Sequence, residues 1–258
     1  FHKDQEDLMK FYESMKSVYA EVYKEIGIGE DTYLTIASGG DFTKNFSHEF
    51  QTLTEAGEDL IYVDKKNKIA YNKEVVTAEN AEKLGVDFDA LEQIKASEVG
   101  NIFPLDTRFS KALDYTYTDE QGEQQLIYMG SYGIGPSRLM GVVTEKLADE
   151  KGLVWPASIA PYSVHLIVLG KDKNGETYKQ AEALYTKLTA SHVEVLFDDR
   201  ELQAGEKFAD SDLLGIPLRV VISDKSLTAG GVEIKERTSS TSDIVSIDQC
   251  LHMFTKVC

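Results

Sequence analysis

The residues best placed for chemistry lie between Leu126 and Val143, where glycines at 130, 133 and 135 are followed by Pro136 and Arg138. Glycine lets a backbone turn tightly and approach a ligand closely. The apolar run Leu126 to Met129 predicts a buried strand, and Pro136 suits the first position of a helix. Leu139, Val142, Val143 and Leu147 then continue at helical spacing. A strand, a glycine turn and a helix N-terminus together offer free N–H groups and a positive dipole end to an anion. Arg138 falls in the first helical turn, where a cation is mildly disfavoured, so its presence suggests an anion to bind. A strand-to-helix corner carrying a solvated arginine has the same spacing, and a lone Gly-x-Gly does not separate the two.

Two further places carry candidate chemistry. Residues 45–53 alternate as a half-buried strand, with Phe46, His48, Phe50 and Thr52 on one face and Ser47 and Glu49 on the other. A histidine among aromatics there fits a core, and equally one wall of a cleft. Asp198-Asp199-Arg200 ends an apolar strand, the position at which open α/β sheets place ligands, although an internal ion pair reads the same way. No Ser-His-Asp or Cys-His constellation is present. The five histidines are scattered, and Cys250 and Cys258 have no metal-ligand spacing, so no metal site is expected.

The elements that must position these residues change character along the chain. Asp4 can cap an amphipathic helix whose apolar positions are Leu8, Phe11, Tyr12, Met15, Val18, Tyr19, Val22 and Ile26, closing at Gly27. A strand over Thr32 to Ala37, a turn from Ser38 to Phe42, and a hairpin joining Leu60–Val63 to Ile69–Tyr71 follow. A helix is expected from Asp87 through Leu91 and Ile94, then strands at Val99–Phe103 and Tyr115–Thr118. This half reads as an antiparallel sheet with helices packed on it. Trp155 to Pro161 marks a boundary. Beyond it, apolar strands at Val164–Leu169, Val193–Phe197 and Leu218–Ile222 alternate with helices at Tyr178–Leu188 and Phe208–Leu214, the signature of a parallel α/β unit. Val232–Lys235 adds an edge strand, and Asp248–Phe254 a last helix.

Composition limits the function. Hydrophobic residues at 42% and charged residues at 28% describe a soluble globular protein with real cores. No apolar run approaches a membrane span, and no signal peptide is visible. A net charge of −17 argues against a general nucleic-acid binder. Residues 160–258 carry 11 Lys/Arg against 15 Asp/Glu, so most of the acidity lies before them. The chain begins with Phe1 and reads as a piece of a longer, cytoplasmic protein.

In order along the chain stand Phe-Ser-His-Glu-Phe50, Gly130-x-x-Gly-Ile-Gly-x-Ser-Arg138, Trp-Pro-x-x-Ile-Ala-Pro161, Asp-Asp-Arg200, Gly205-x-Lys-Phe208 and Asp212-Leu-Leu-Gly-Ile-Pro217. This ordered set resembles the bacterial-type prolyl-tRNA synthetases over nearly the whole chain. The resemblance implies an α+β antiparallel class II synthetase catalytic core, partial, over residues 1–158, and an α/β anticodon-binding domain over 159–258. It implies ATP binding by Gly133, Gly135 and Arg138, with Arg138 on the γ-phosphate and as the catalytic residue. It implies a proline pocket of Phe1, His2, His48, Thr107, Ser110 and Gly130. Asp198, Asp199, Arg200, Lys207 and Phe208 would lie near the anticodon. The implied chemistry is ATP-dependent activation of L-proline to prolyl-adenylate and transfer to tRNA(Pro), with Mg²⁺ carried by ATP and a homodimer as the full-length state.

The chain departs from that pattern in several places. It starts after the motif 2 arginine and lacks motif 1, so it is expected to be inactive alone. Asn101 stands where the family has histidine, Asp106 where it has glycine, and Gln203-Ala204 where it has Arg-Pro. About 25 residues separate Asn72 from Glu98, too few for the editing domain that bacterial members carry there. The alternative reading is a catalytically inactive synthetase-like module that binds tRNA. A sister synthetase for threonine, glycine or histidine is disfavoured by the Ser-His-Glu-Phe50 stretch.

Overall fold

The computed structural model describes residues 1–40, 46–79, 81–82 and 85–255. The expected turn and strand positions at Asp41, Phe42 and Asn45, and Cys258, lie outside them. The chain divides into two compact units, Phe1–Lys146 and Leu147–Cys258. Among the described residues, no helix is long and apolar enough to cross a membrane.

The first unit opens with α1 (Gln5–Glu25), started by the Asp4 carboxylate, which accepts from the Asp7 N–H at 2.8 Å. Its inner face is built from Leu8, Tyr12, Tyr19 and Tyr23. That face covers a sheet ordered β2-β1-β4-β3-β5-β8, comprising β1 (Thr32–Ala37), β2 (Ser47–Leu53), β3 (Asp59–Asp64), β4 (Ile69–Asn72), β5 (Glu92–Asp106) and β8 (Met129–Ile134). All its pairings are antiparallel except β1 with β4. A short helix α2 (Arg108–Ala112) and a hairpin of β6 (Thr116–Thr118) and β7 (Gln124–Leu126) lead into β8, and α3 (Pro136–Leu147) closes the unit.

Two expectations fail here, for one reason. The helix expected from Asp87 is only a 3-10 turn at Phe88–Ala90, after which the chain enters the 15-residue strand β5. Ile94 and Ala96 do not form a helical stripe. They alternate inward, against Tyr33, Ile61, Val63 and Ala70. The glycine turn is likewise a strand, since Gly130 and Gly133 lie inside β8 and only Gly135 is at the corner before α3. Pairing on both sides of β5 outweighs local preference in each case. β5 pairs with β3 at Glu92–Ala96, with β2 at Ala96–Ile102 and with β8 at Gly100–Asp106, and β2 also pairs with β1. The strands β2, β1, β4, β3 and β5 therefore form a closed circuit.

The second unit contains β9 (Val164–Leu169), α4 (Glu176–Ala190), β10 (Val195–Asp198), α5 (Ala204–Leu214), β11 (Leu218–Ser223), α6 (Asp224–Thr228), β12 (Val232–Glu236), β13 (Asp243–Val245) and α7 (Ile247–Thr255). The sheet order is β10-β9-β11-β12-β13, parallel from β10 to β11 and antiparallel beyond. β12 is not an edge, because β13 pairs with its outer side. Val164, Leu166, Val168, Val220 and Ile222 pack with Tyr178, Leu184, Leu188 and Cys250. Burial pushes the Cys250 thiol up to about 11, so it packs as a small hydrophobe. The unit begins before the expected boundary because residues 149–155 are bonded into it. Leu153 and Trp155 donate to the carbonyls of Leu213 and Gly215, and Arg237 grips the Asp149 carboxylate at 2.6 and 2.8 Å.

Gly215 ends α5 with φ 72°, and an added Cβ would stand 2.1 Å from the Leu153 carbonyl oxygen. Gly215→Ala is expected to cost roughly 2–4 kcal/mol, read as a lower urea midpoint with unchanged slope. His165 of β9 is 1% exposed, and burial depresses its imidazole to about 4. The unfolded chain then binds the extra proton, so this contribution to stability is complete above about pH 6.5 and is lost as pH falls toward 4. Wild type should lose about 2 kcal/mol more than His165→Leu between pH 7 and pH 5 in urea titrations.

Candidate functional site

Strand pairing sorts the candidate residues of the first unit onto two faces. His48, Ile102 and Tyr132 are aligned, as are Phe50, Gly100 and Ile134. This face meets α1. Phe50 stacks on Tyr19 at 4.8 Å, and a Cβ at Gly100 would strike the Tyr23 hydroxyl. The His48 Nδ1 lies 2.8 Å from the Tyr12 hydroxyl, which also donates to the Ile102 carbonyl. Burial, and next the Lys16 charge, push the imidazole down to about 4, so it is neutral. Gly130 shares this face, because its Cβ would meet the Tyr132 hydroxyl at 2.4 Å.

Glu49, Asn101 and Gly133 align on the opposite face. There the Gln51 amide, fully buried, donates to Glu49 at 3.0 Å and to Asp59 at 2.8 Å, while its carbonyl oxygen has no partner among the described residues. Asn72 donates to Glu49 at 3.4 Å. Burial raises the Glu49 carboxyl above its ordinary value; the Gln51 amide opposes this and the Glu98 charge adds to it. Asn101 donates to the Glu98 carboxylate at 2.8 Å. The result is an acidic, partly buried cluster, suited to an amine and not to a phosphate. Sequence reasoning did not select Glu49 or Gln51, although the strand alternation had already turned Glu49 away from His48.

Arg138 stands in the first turn of α3, and a Cβ added at Gly135 would meet the Arg138 Cβ at 3.6 Å. Its Nη1 donates to Glu58 at 2.6 Å and to the Glu98 carbonyl at 3.1 Å. Glu98 therefore joins the two groups, with its side chain toward Asn101 and its carbonyl toward Arg138. The remaining expected residues do not converge. Phe1 is exposed and edge-on to Tyr115. His2 is bridged to Tyr128 through the backbone and to Asp7 through Nδ1 at 2.9 Å. Thr107 precedes α2, and the buried Ser110 hydroxyl is spent on the Thr107 carbonyl.

In the second unit Asp198 is 5% exposed and takes a two-point bond from Arg200, at 2.9 and 2.8 Å. Arg200 also reaches Asp210 at 2.8 Å. Burial would raise the Asp198 carboxyl, but Arg200 and Lys207 outweigh it and hold it below its ordinary value. Lys207 is 1% exposed, and its ammonium donates to the carbonyls of Val168 and Asp198 at 2.9 and 3.0 Å. It is a buried strut beneath the end of β10. Phe208 lies under the Arg219 guanidinium at 4.4 Å, and Asp199 is exposed. Beside them a cavity of about 400 Å³ is bounded by His165, Leu196, Asp198, Arg200, Asp210 and Leu213, among others. Among the described residues, no group of histidine, cysteine and carboxylate side chains could hold a metal.

Residues 1–147 match the family described as tRNA synthetase class II core domain (G, H, P, S and T), and residues 163–256 match an anticodon binding domain. A proline–tRNA ligase of Rickettsia rickettsii is 34% identical over 260 residues, covering 96% of this chain and 60% of its own length. One from a Geobacillus species is 52% identical over 154 residues, 60% of this chain and 27% of its own. The chain thus spans about 60% of the length of the Rickettsia relative. The fold is similar to that of Giardia lamblia prolyl-tRNA synthetase in complex with prolyl-adenylate, with TM-score 0.70 at 17% identity, over 97% of this chain and 44% of that one. The two family matches, over a mostly antiparallel circuit of strands that leads into an arginine-bearing helix and over the mixed α/β unit that follows, show that this chain belongs to the class II tRNA synthetase family of the glycine, histidine, proline, serine and threonine group, with an anticodon-binding domain attached.

Proposed function

We propose that the complete protein is an ATP-dependent proline–tRNA ligase of which this chain is a part. The observation that carries the reading is the 34% identity, across 96% of the chain, to a proline–tRNA ligase. The site supports it with two chemically distinct surfaces joined at Glu98. Among the described residues, the hydrogen bonds of Arg138 use Nη1 alone. Its Nε and Nη2 edge is left for two-point binding of the γ-phosphate. The acidic cluster of Glu49, Asp59 and Glu98 suits the amino group of an amino acid, and we assign proline recognition to this face in place of His48 and Gly130. The proline carboxylate attacks the α-phosphorus of ATP and pyrophosphate leaves; a hydroxyl of the terminal ribose of tRNA(Pro) then attacks the prolyl carbonyl and AMP leaves, its phosphate taking up the hydroxyl proton. No side chain needs to move a proton. The chain aligns the reactants and neutralises charge developing on phosphate oxygens. Mg²⁺ arrives with ATP, held mainly by phosphate oxygens and water. The second unit is assigned to the anticodon, with Arg200 and Phe208 as contacts and Asp198 and Lys207 as their support. A homodimer in the cytoplasm completes the proposal.

The test is proline-dependent exchange of pyrophosphate into ATP by the complete protein, with this chain as control. Activity in the complete protein alone is expected. Silence in both, with tRNA(Pro) still bound, would instead indicate a binding module. Arg138→Ala in the complete protein should reduce kcat/KM for ATP roughly 10²–10³-fold, with far less effect on proline. Equal losses for both substrates would show that its role is misplaced. With only about 25 residues between Asn72 and Glu98, the complete protein should not hydrolyse alanyl-tRNA(Pro) in a deacylation assay.

A further inference from the structure

Glu58 lies in the turn between β2 and β3, outside every motif singled out in the sequence. The turn is held against β5, because Thr54 donates to the Lys95 carbonyl at 3.1 Å and Gly57 donates back to Thr54 at 3.0 Å. Gly57 permits this approach, since a Cβ there would stand 2.3 Å from the Ala96 carbonyl group. The turn presents the Glu58 carboxylate to two donors at once. One oxygen accepts from the Ser97 hydroxyl at 3.2 Å, the other from Arg138 Nη1 at 2.6 Å.

A second anchor comes from the backbone of β5. Phe50 pairs with Gly100 but Gln51 pairs with Glu98, so Val99 is an extra residue and the strand is bulged. The Glu98 carbonyl at this bulge also accepts from Nη1. A guanidinium is a rigid planar fork, so fixing one terminal nitrogen from two sides sets the direction of the opposite edge. Glu58 and Glu145 both line the cavity of about 500 Å³ beside Arg138, which makes that side unfit for phosphate.

From this geometry we propose that Glu58 is a positioning residue for Arg138, holding Nη1 so that the Nε and Nη2 edge meets the triphosphate of ATP. The inference rests on the assignment of Arg138 to ATP made above. It also fixes the sign of the effect. A carboxylate near a triphosphate repels it, so removing one should tighten ATP binding unless the carboxylate orients the cation.

The experiment uses the complete protein as wild type, Glu58→Gln, Glu58→Ala, Arg138→Ala and the double variant Glu58→Ala/Arg138→Ala. Mg-ATP affinity is measured by titration calorimetry, and KM for ATP and for proline by pyrophosphate exchange. Glu58→Ala should weaken Mg-ATP roughly three- to tenfold with the proline KM unchanged, and Glu58→Gln should fall between it and wild type. On the Arg138→Ala background, Glu58→Ala should have no further effect. Unchanged or tighter ATP binding in the single variants would overturn the proposal. So would parallel losses for ATP and proline with a lowered Tm, the mark of a purely structural part. A wild type that binds ATP without proline-dependent exchange would overturn the proline reading, and the affinities of the variants would still decide the role of Glu58.

Discussion

Backbone pairing along β5 is the constraint from which the rest of the first unit follows. A strand of 15 residues has two edges, so it can pair with three neighbours only if two of them share an edge at different stretches. The pairings with β3, β2 and β8 divide it in that way. Because side chains alternate, each pairing also decides which residues share a face. Aromatic residues collect under α1, and Glu49, Gln51 and Asn101 collect opposite. The bulge at Val99 shifts that alternation by one residue within the strand. It also frees the Glu98 carbonyl to meet Arg138 while the Glu98 side chain meets Asn101. One irregular residue thus couples a cation to an acidic cluster through a single glutamate.

How far the sequence could be read depended on whether a signal was local. The Asp4 cap and the Thr32–Ala37 strand are written in consecutive residues, and the structure places both at those positions. Arg138 in the first turn of a helix was visible because Pro136 starts helices. The glycines at 130 and 133 misled because a glycine tolerates a strand as readily as a turn, and only the partner strand decides. Gly133 sits opposite Asn101, and Gly130 sits where Tyr132 leaves no room for a side chain. Residues 87–97 misled in the same way, since the burial of Ile94 and Ala96 depends on residues some 30 positions earlier.

His48 shows a different limit. Its alternation with Phe46 and Phe50 was legible, and so was the chance that the shared face was a core. Deciding between core and cleft needed the identity of what covers that face, which is Tyr12 of a helix more than 30 residues away. Glu49 and Gln51 went unselected because single carboxylates and amides on a strand carry no spacing signal. Their meaning comes from Asp59 and Asn72, brought beside them by the closure of the circuit.

The burial of Lys207 changes how the second unit should be counted as a polyelectrolyte. Its ammonium is enclosed by two backbone carbonyls and the Asp198 carboxylate, and it is 1% exposed. Such a charge holds no share of a nucleic acid's counterion atmosphere, so it releases no ions when the RNA proposed above is bound. Arg200 is exposed but already answered by Asp198 and Asp210. The cations that a residue count assigns to this face are therefore mostly neutralised from within. Recognition by this surface would draw on stacking and base-edge hydrogen bonds more than on ionic attraction, and its dependence on salt would be shallower than its lysines and arginines suggest.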